Sequence, residues 1–309
     1  MGDGIMKMAT DDGHGIETYK LTYELMKFLE KKPSSHPHVR RDAKFLVQLL
    51  DDCQVYEIDS KISHFALNQE PPDLDAPVSD ECASPADKLL VSTSYGSGFF
   101  VEKVKDTYYL FTIQTDGWLQ ISMEDNIQLD ATPMQLLASY KLGEQVHLTH
   151  HDHTTGKTKF SKFDDVYDAD EIKLFEKAWV LIESYLMILR VINSPRLTDK
   201  KPPGTRQQRR RISMGMGKAV DAWHRVSWNI DKAAIAKEPF DKGFHKMPLH
   251  FNRGHWKRAL EHHPKSRQRP NALNPEHRTG WWTWIDGYFA GHPAFGFKKQ
   301  YWKPKKGAA

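Results

Sequence analysis

Between Leu249 and Arg258 the segment LHFNRGHWKR gathers two imidazoles and three cations. His250, Arg253 and His255 are the residues whose types could do chemistry there. Imidazole titrates near neutrality, so one ring can serve as general base and the other as general acid. An arginine between them can clamp a phosphate through two parallel hydrogen bonds, or stabilise a charged phosphorane. A strand that runs into a turn at Gly254 would let the three side chains converge on one pocket. That is the equipment of a ribonuclease or other phosphodiesterase working without a metal. The same three residues can equally bind phosphate without cleaving it, or hold main-chain carbonyls in a purely structural role. The sequence leaves all three readings open.

The surroundings of this segment suit a polyanion. Lys257 and Arg258 end it, and Arg267 and Arg269 follow in the loop PKSRQRPNALNPEHR. Trp281, Trp282 and Trp284 come next, and in a strand Trp282 and Trp284 share one face while Trp281 takes the other. One face would join the core; the other, if exposed, would offer a stacking platform for bases. Upstream, Arg209, Arg210 and Arg211 form a basic run of the kind that orders on nucleic acid. A second histidine group, His147, His150, His151 and His153 around Asp152, is a possible metal-binding tract. Neighbours in a turn splay apart, however, so these residues read as a solvated turn and no metal is expected. No cofactor is expected either. Gly215 to Lys218 is too short for a phosphate-binding loop, and Gly96-Ser97-Gly98 is no dinucleotide fingerprint.

Charge divides the chain. Residues 1–195 hold 19 Lys/Arg against 32 Asp/Glu, a net of −13, and residues 196–309 hold 25 against 8, a net of +17. The overall +4 therefore conceals two opposite blocks, and the basic one carries 7 of the 9 tryptophans. Lys and Arg neutralise phosphates and flat rings stack on bases, so nucleic acid, RNA or DNA, is the expected partner. A basic face also suits an acidic protein partner. The two cysteines, Cys53 and Cys82, exclude a cysteine-rich zinc site and suit a reducing compartment. The longest apolar stretch, Ala178 to Leu189, has Glu183 at its centre and is shorter than the ~20 residues that cross a bilayer. No membrane association is expected.

The elements that must position these groups follow from periodicity. Thr18 to Glu30 has helical spacing, Asp42 to Leu50 reads as a second short helix or a strand, and Val55 to Ile58 reads as a strand. Gln69 to Ala86, rich in Pro and Asp, reads as a surface loop. Lys88 to Met123 predicts a meander of three or four antiparallel strands, and Gln145 to Phe163 a further hairpin. Ala169 to Ile192 predicts the longest helix, with Ile172, Phe175, Trp179, Ile182, Leu186 and Leu189 on its buried stripe. Strands are expected again over Val220 to Ile230, Gly280 to Phe289 and Phe295 to Trp302. The expected fold is α+β: an antiparallel sheet packed by a long central helix and N-terminal helices, with a basic C-terminal β-rich lobe. The expected domains are an acidic scaffold over 1–195, a basic flexible linker over 196–219 and a Trp/His-rich lobe over 220–309.

The segment His250-x-x-Arg253-Gly254-His255-Trp256 resembles the H-x-x-R-G-H-[FW] motif of a family of uncharacterised proteins of tailed phages and prophages. A terminal Y-W-x-P-x-x-x-G is matched by Tyr301, Trp302, Pro304 and Gly307, and N-[AS]-P-R by Asn193-Ser194-Pro195-Arg196. Where the family often carries W-x-P-P-H-x-R-G, this chain has Lys303-Pro304-Lys305-Lys306-Gly307, which keeps the charge and loses a histidine. The resemblance implies an origin rather than a reaction. A phage-encoded protein acting in the cytoplasm of the host bacterium would bind nucleic acid through its basic part, or bind and inhibit a host protein.

Overall fold

Runs of β-branched and aromatic residues dominate the observed elements as they do the sequence. The computed structural model of the protein describes residues 53–69, 71–93, 97–114, 134–152, 157–165, 169–202, 206–207, 210, 223–230, 247–261 and 263–298. In chain order the elements are β1 (Gln54–Ile58), α1 (Ser60–Leu67), β2 (Lys88–Ser92), β3 (Ser97–Val104), β4 (Thr107–Gln114), β5 (Met134–Tyr140), β6 (His147–Asp152), β7 (Lys157–Ser161) and α2 (Ala169–Ile192). They continue as β8 (Thr198–Lys201), β9 (Trp223–Trp228), β10 (Pro248–Asn252), β11 (His255–Ala259), β12 (Trp281–Ile285), β13 (Tyr288–Ala290) and β14 (His292–Phe297).

This architecture overturns the expected fold class. The main sheet is mixed, with nine strands in the order β7-β6-β5-β4-β3-β2-β1-β9-β8, and strands outweigh the two α-helices among the described residues. The reason lies at β1, which runs parallel to both of its neighbours, with Val55 opposite Leu90 on one side and Trp223 on the other. Parallel strands covered on both faces read as continuous apolar runs rather than alternating ones. Leu89, Leu90 and Val91 of β2 are accordingly all buried. The expected helix at Thr18–Glu30 and the helix or strand at Asp42–Leu50 lie outside the described residues. No helix among the described residues is long and apolar enough to cross a membrane.

The chain divides into two compact units, each discontinuous in sequence. One comprises Met1–Ser63, Ser84–Leu137 and Asp199–Ser227; the other comprises His64–Ala83, Ala138–Thr198 and Trp228–Ala309. This is a different partition from the contiguous segments that composition suggests. In the first unit the β2–β3–β4 meander is antiparallel throughout, and Lys105-Asp106 turns β3 into β4. Burial raises the Glu57 carboxyl above its ordinary range, against the pull of Arg225.

The second unit is built on α2. Of its expected stripe Phe175, Trp179, Ile182, Leu186 and Leu189 are buried and Ile172, in the first turn, is only half-buried; from Ile182 to Ile192 every side chain is buried, so this half of the helix is covered all round. The segment read as a surface loop packs against it. Trp179 Nε1 donates to the Pro72 carbonyl (3.1 Å), and Asn193 Nδ2 donates to the carbonyls of Glu81 (2.8 Å) and Ala83 (2.7 Å). Leu74, Asp75, Ala76, Val78 and Cys82 are consequently buried. A Pro-rich stretch can follow the core without regular structure because helix side chains and neighbouring carbonyls satisfy its backbone groups. This segment supplies the carboxylates of the site.

Candidate nucleic-acid interface

β11 and β12 form a two-stranded antiparallel ribbon of their own, in the register His255↔Ile285, Trp256↔Trp284, Lys257↔Thr283, Arg258↔Trp282 and Ala259↔Trp281. Directly opposed residues share a face. One face therefore carries Trp256, Arg258, Trp282 and Trp284, and the other His255, Lys257, Trp281, Thr283 and Ile285. The split of Trp282 and Trp284 from Trp281 is the one that strand alternation predicts.

The first face is anchored on Trp256, which is buried and meets Trp284 edge-to-face at 5.2 Å between centroids. Its indole N–H donates to Asp75 Oδ1 (3.3 Å). The Arg267 and Arg269 guanidinium carbons lie 4.5 and 4.0 Å from its ring centroid, within cation–π range. Arg269 grips Asp75 with both prongs, Nε to Oδ2 at 2.8 Å and Nη2 to Oδ1 at 2.6 Å, and both side chains are almost fully buried. Arg267 Nη2 donates to the Asp75 carbonyl (2.9 Å), and the Arg267 backbone exchanges two hydrogen bonds with Trp282. Arg269 Nη1 lies 2.8 Å from His277 Nδ1; because arginine only donates, this assigns Nδ1 as the acceptor and the ring proton to Nε2. The His277 ring lies 4.2 Å from that of Trp282.

The glycine of the R-G-H segment has a packing explanation. A Cβ at Gly254 would come 2.3 Å from Cζ2 of Trp284 and 2.9 Å from the Ile285 carbonyl oxygen. The chain must pass flat beneath the indole for β11 to pair with β12.

The two imidazoles proposed for acid–base work belong to different sheets. His250 stands on β10, between β13 and β14, with Leu249 and Phe251 on the buried face and its own Nδ1 donating to the Pro248 carbonyl (3.1 Å). His255 opens β11 and is exposed. Between them Arg253 is 40% exposed and pairs with Asp73 at 3.7 Å. Lys257 and Arg258 are exposed on the ribbon, whereas Arg269 and, in part, Arg267 are occupied by Asp75 and Trp256. Arg210 is exposed, and Arg209 and Arg211 lie outside the described residues. The terminal Tyr301-Trp302 segment lies outside them as well.

Of the His147–His153 group, His147 is half-buried on β6, and burial, reinforced by Lys162, lowers its imidazole below the ordinary range. The side chains of His150 and His151, and all of His153, are outside the described part. Among the described residues no cluster of three or more His, Cys, Asp or Glu side chains is placed to hold a metal ion.

Asp73 and Asp75 are the residues that sequence reasoning missed. Their signal was present in Pro71-Pro72-Asp73-Leu74-Asp75-Ala76-Pro77, where prolines stiffen the backbone around two carboxylates, but their arginine partners lie far along the chain. Comparison of the chain with protein-family models, with curated proteins and with solved structures finds no match.

Proposed function

We propose that the protein binds nucleic acid through the β11–β12 ribbon and the residues at its entrance. Arg253, His255, Lys257 and Arg258 contact phosphates, and Trp281 stands beside them. The observation that carries this reading is a two-stranded ribbon on which His255, Lys257 and Arg258 are exposed, with Ile285 the one exposed apolar side chain of its strands, while the buried Arg269 and half-buried Arg267 pin Trp256. A two-stranded ribbon is of a size that the major groove of duplex DNA admits. Exposed cations beside a half-buried indole equally suit a single strand, where bases stack on rings. The +17 net charge of residues 196–309 supplies the long-range attraction. Arg209, Arg210 and Arg211 would add phosphate contacts from outside the ribbon. The resemblance of the R-G-H segment to phage proteins favours a phage-encoded factor acting on nucleic acid in its host's cytoplasm.

The test is a titration of labelled single-stranded RNA and duplex DNA with the full chain, in EDTA and across a salt series. Each sample is divided between a native and a denaturing gel. Expected is a shift that weakens steeply with salt while the nucleic acid stays intact. Absence of any shift at low salt contradicts the proposal. Shortened RNA in the denaturing lane that disappears with His255→Ala would replace it with the metal-independent ribonuclease reading.

A further inference from the structure

We infer that Asp73 occupies, in cis, an anion site formed by Arg253 and Arg269, and that the external ligand of this site is the phosphodiester group of a nucleic acid. The inference deepens the proposed function and rests on it. Asp73 lies between two guanidiniums, with Oδ1 3.7 Å from Nη2 of Arg253 and Oδ2 3.9 Å from Nη2 of Arg269. Neither separation is a hydrogen bond. Two residues on, Asp75 meets Arg269 at 2.6 and 2.8 Å. The two carboxylates of one short segment thus play different parts: Asp75 is locked, and Asp73 is held by charge alone at those atoms.

Exposure and charge point the same way. The Asp73 and Arg253 side chains are 36% and 40% exposed, so solvent and a ligand can reach the pair. Two guanidiniums, those of Arg253 and Arg269, flank the Asp73 carboxylate, and the second of them is also gripped by Asp75. An exposed ion pair at this distance contributes little to stability. A phosphodiester can displace the carboxylate and gain charge-assisted hydrogen bonds from the arginine fork, which at 3.7 Å Asp73 does not make. Arg253 immediately precedes the ribbon that carries His255 and Lys257 on one face and Arg258 on the other, so a phosphate taken there lies at the entrance to the exposed cations. Asp73 then acts as a competitor that weak or non-specific ligands must overcome.

The experiment compares full-length wild type, Asp73→Asn, Arg253→Gln and the double variant. Fluorescence anisotropy with labelled single-stranded RNA and duplex DNA in EDTA reports affinity at several salt concentrations. Asp73→Asn is expected to bind roughly 2- to 5-fold tighter than wild type, the range an exposed ion pair can supply, with a steeper salt dependence. Arg253→Gln is expected to bind more weakly, and the double variant to match Arg253→Gln. Asp73→Ser serves as a second neutral variant should Asp73→Asn unfold, as judged by thermal melting. Wild-type affinity in a folded neutral variant overturns the inference while leaving the ribbon's role intact. So does a gain that persists without Arg253. An equal gain for poly-glutamate would overturn the phosphodiester assignment. If neither wild type nor Asp73→Asn binds nucleic acid, the inference and the proposed function fall together.

Discussion

Asp75 takes Arg269 in a two-pronged grip of 2.8 and 2.6 Å, whereas Glu183 meets Arg190 at 3.7 Å and Arg190 turns its Nε–H to the Cys82 sulfur at 3.2 Å. Both arginines are about 95% buried in the same unit. In the first pair the carboxylate also accepts the Trp256 N–H, so charge and hydrogen bonding are satisfied together. In the second, Glu183 Oε1 accepts no hydrogen bond among the described residues, and burial raises its carboxyl above the ordinary range despite Arg190. Burial likewise pushes the Cys82 thiol up to about 11, so it stays protonated and serves as a weak polar partner rather than a nucleophile. A buried ion pair holds a structure in place when its geometry is complete, and the two arginines differ in this respect.

Several substitutions would break or sharpen that contrast. The largest effect is expected from Asp75→Ala, which strands a buried guanidinium and the Trp256 N–H. A loss of about 3–5 kcal/mol in urea unfolding is expected, and a loss near zero would mean that Arg269 reaches water. Arg190→Met should cost less, about 1–3 kcal/mol, because Glu183 can take up a proton and methionine can fill beside Phe251, whose ring lies 5.2 Å from the guanidinium. An Arg190→Met loss equal to that of Asp75→Ala would erase the distinction.

A finer effect is expected from Glu183→Gln. A folded-state value above the unfolded one means that the folded protein holds the proton more tightly. The resulting stabilisation is complete below the ordinary value of 4.5 and is lost as pH rises through the raised folded value. Urea midpoints of wild type should therefore fall, relative to Glu183→Gln, as pH increases from that point. Parallel pH profiles for the two proteins would show that the Glu183 carboxyl is not perturbed.

How much of this was legible in the sequence depends on how local its cause is. Helix α2 was readable because Phe175, Trp179, Ile182, Leu186 and Leu189 recur at helical spacing along one stretch. The β2–β3–β4 meander was readable because hairpin partners adjoin and the turns are short. The parallel pairing of β1 with β2 and β9 was not. Nothing in Gln54–Ile58 names a partner at Trp223, and hairpin spacing alone points to an antiparallel sheet. The site follows the same rule. The R-G-H segment and the tryptophan face of β12 stood out, yet Arg258 and Arg269 look alike in a basic sequence. Only contact with Asp75, 194 residues away, separates a buried anchor from an exposed cation. Gly254 could be marked as a turn residue, but the indole above it belongs to β12 and could not be foreseen.

The central claim is that the exposed cations of the ribbon contact phosphate while the buried ones hold its scaffold. It is tested most directly by the salt dependence of binding in Lys257→Ala/Arg258→Ala, set against wild type. Removing two phosphate contacts should flatten the slope of log affinity against log salt by about 1–2. Both side chains are exposed, so stability should stay within about 0.5 kcal/mol of wild type. An unchanged slope in a variant that melts like wild type would contradict the account.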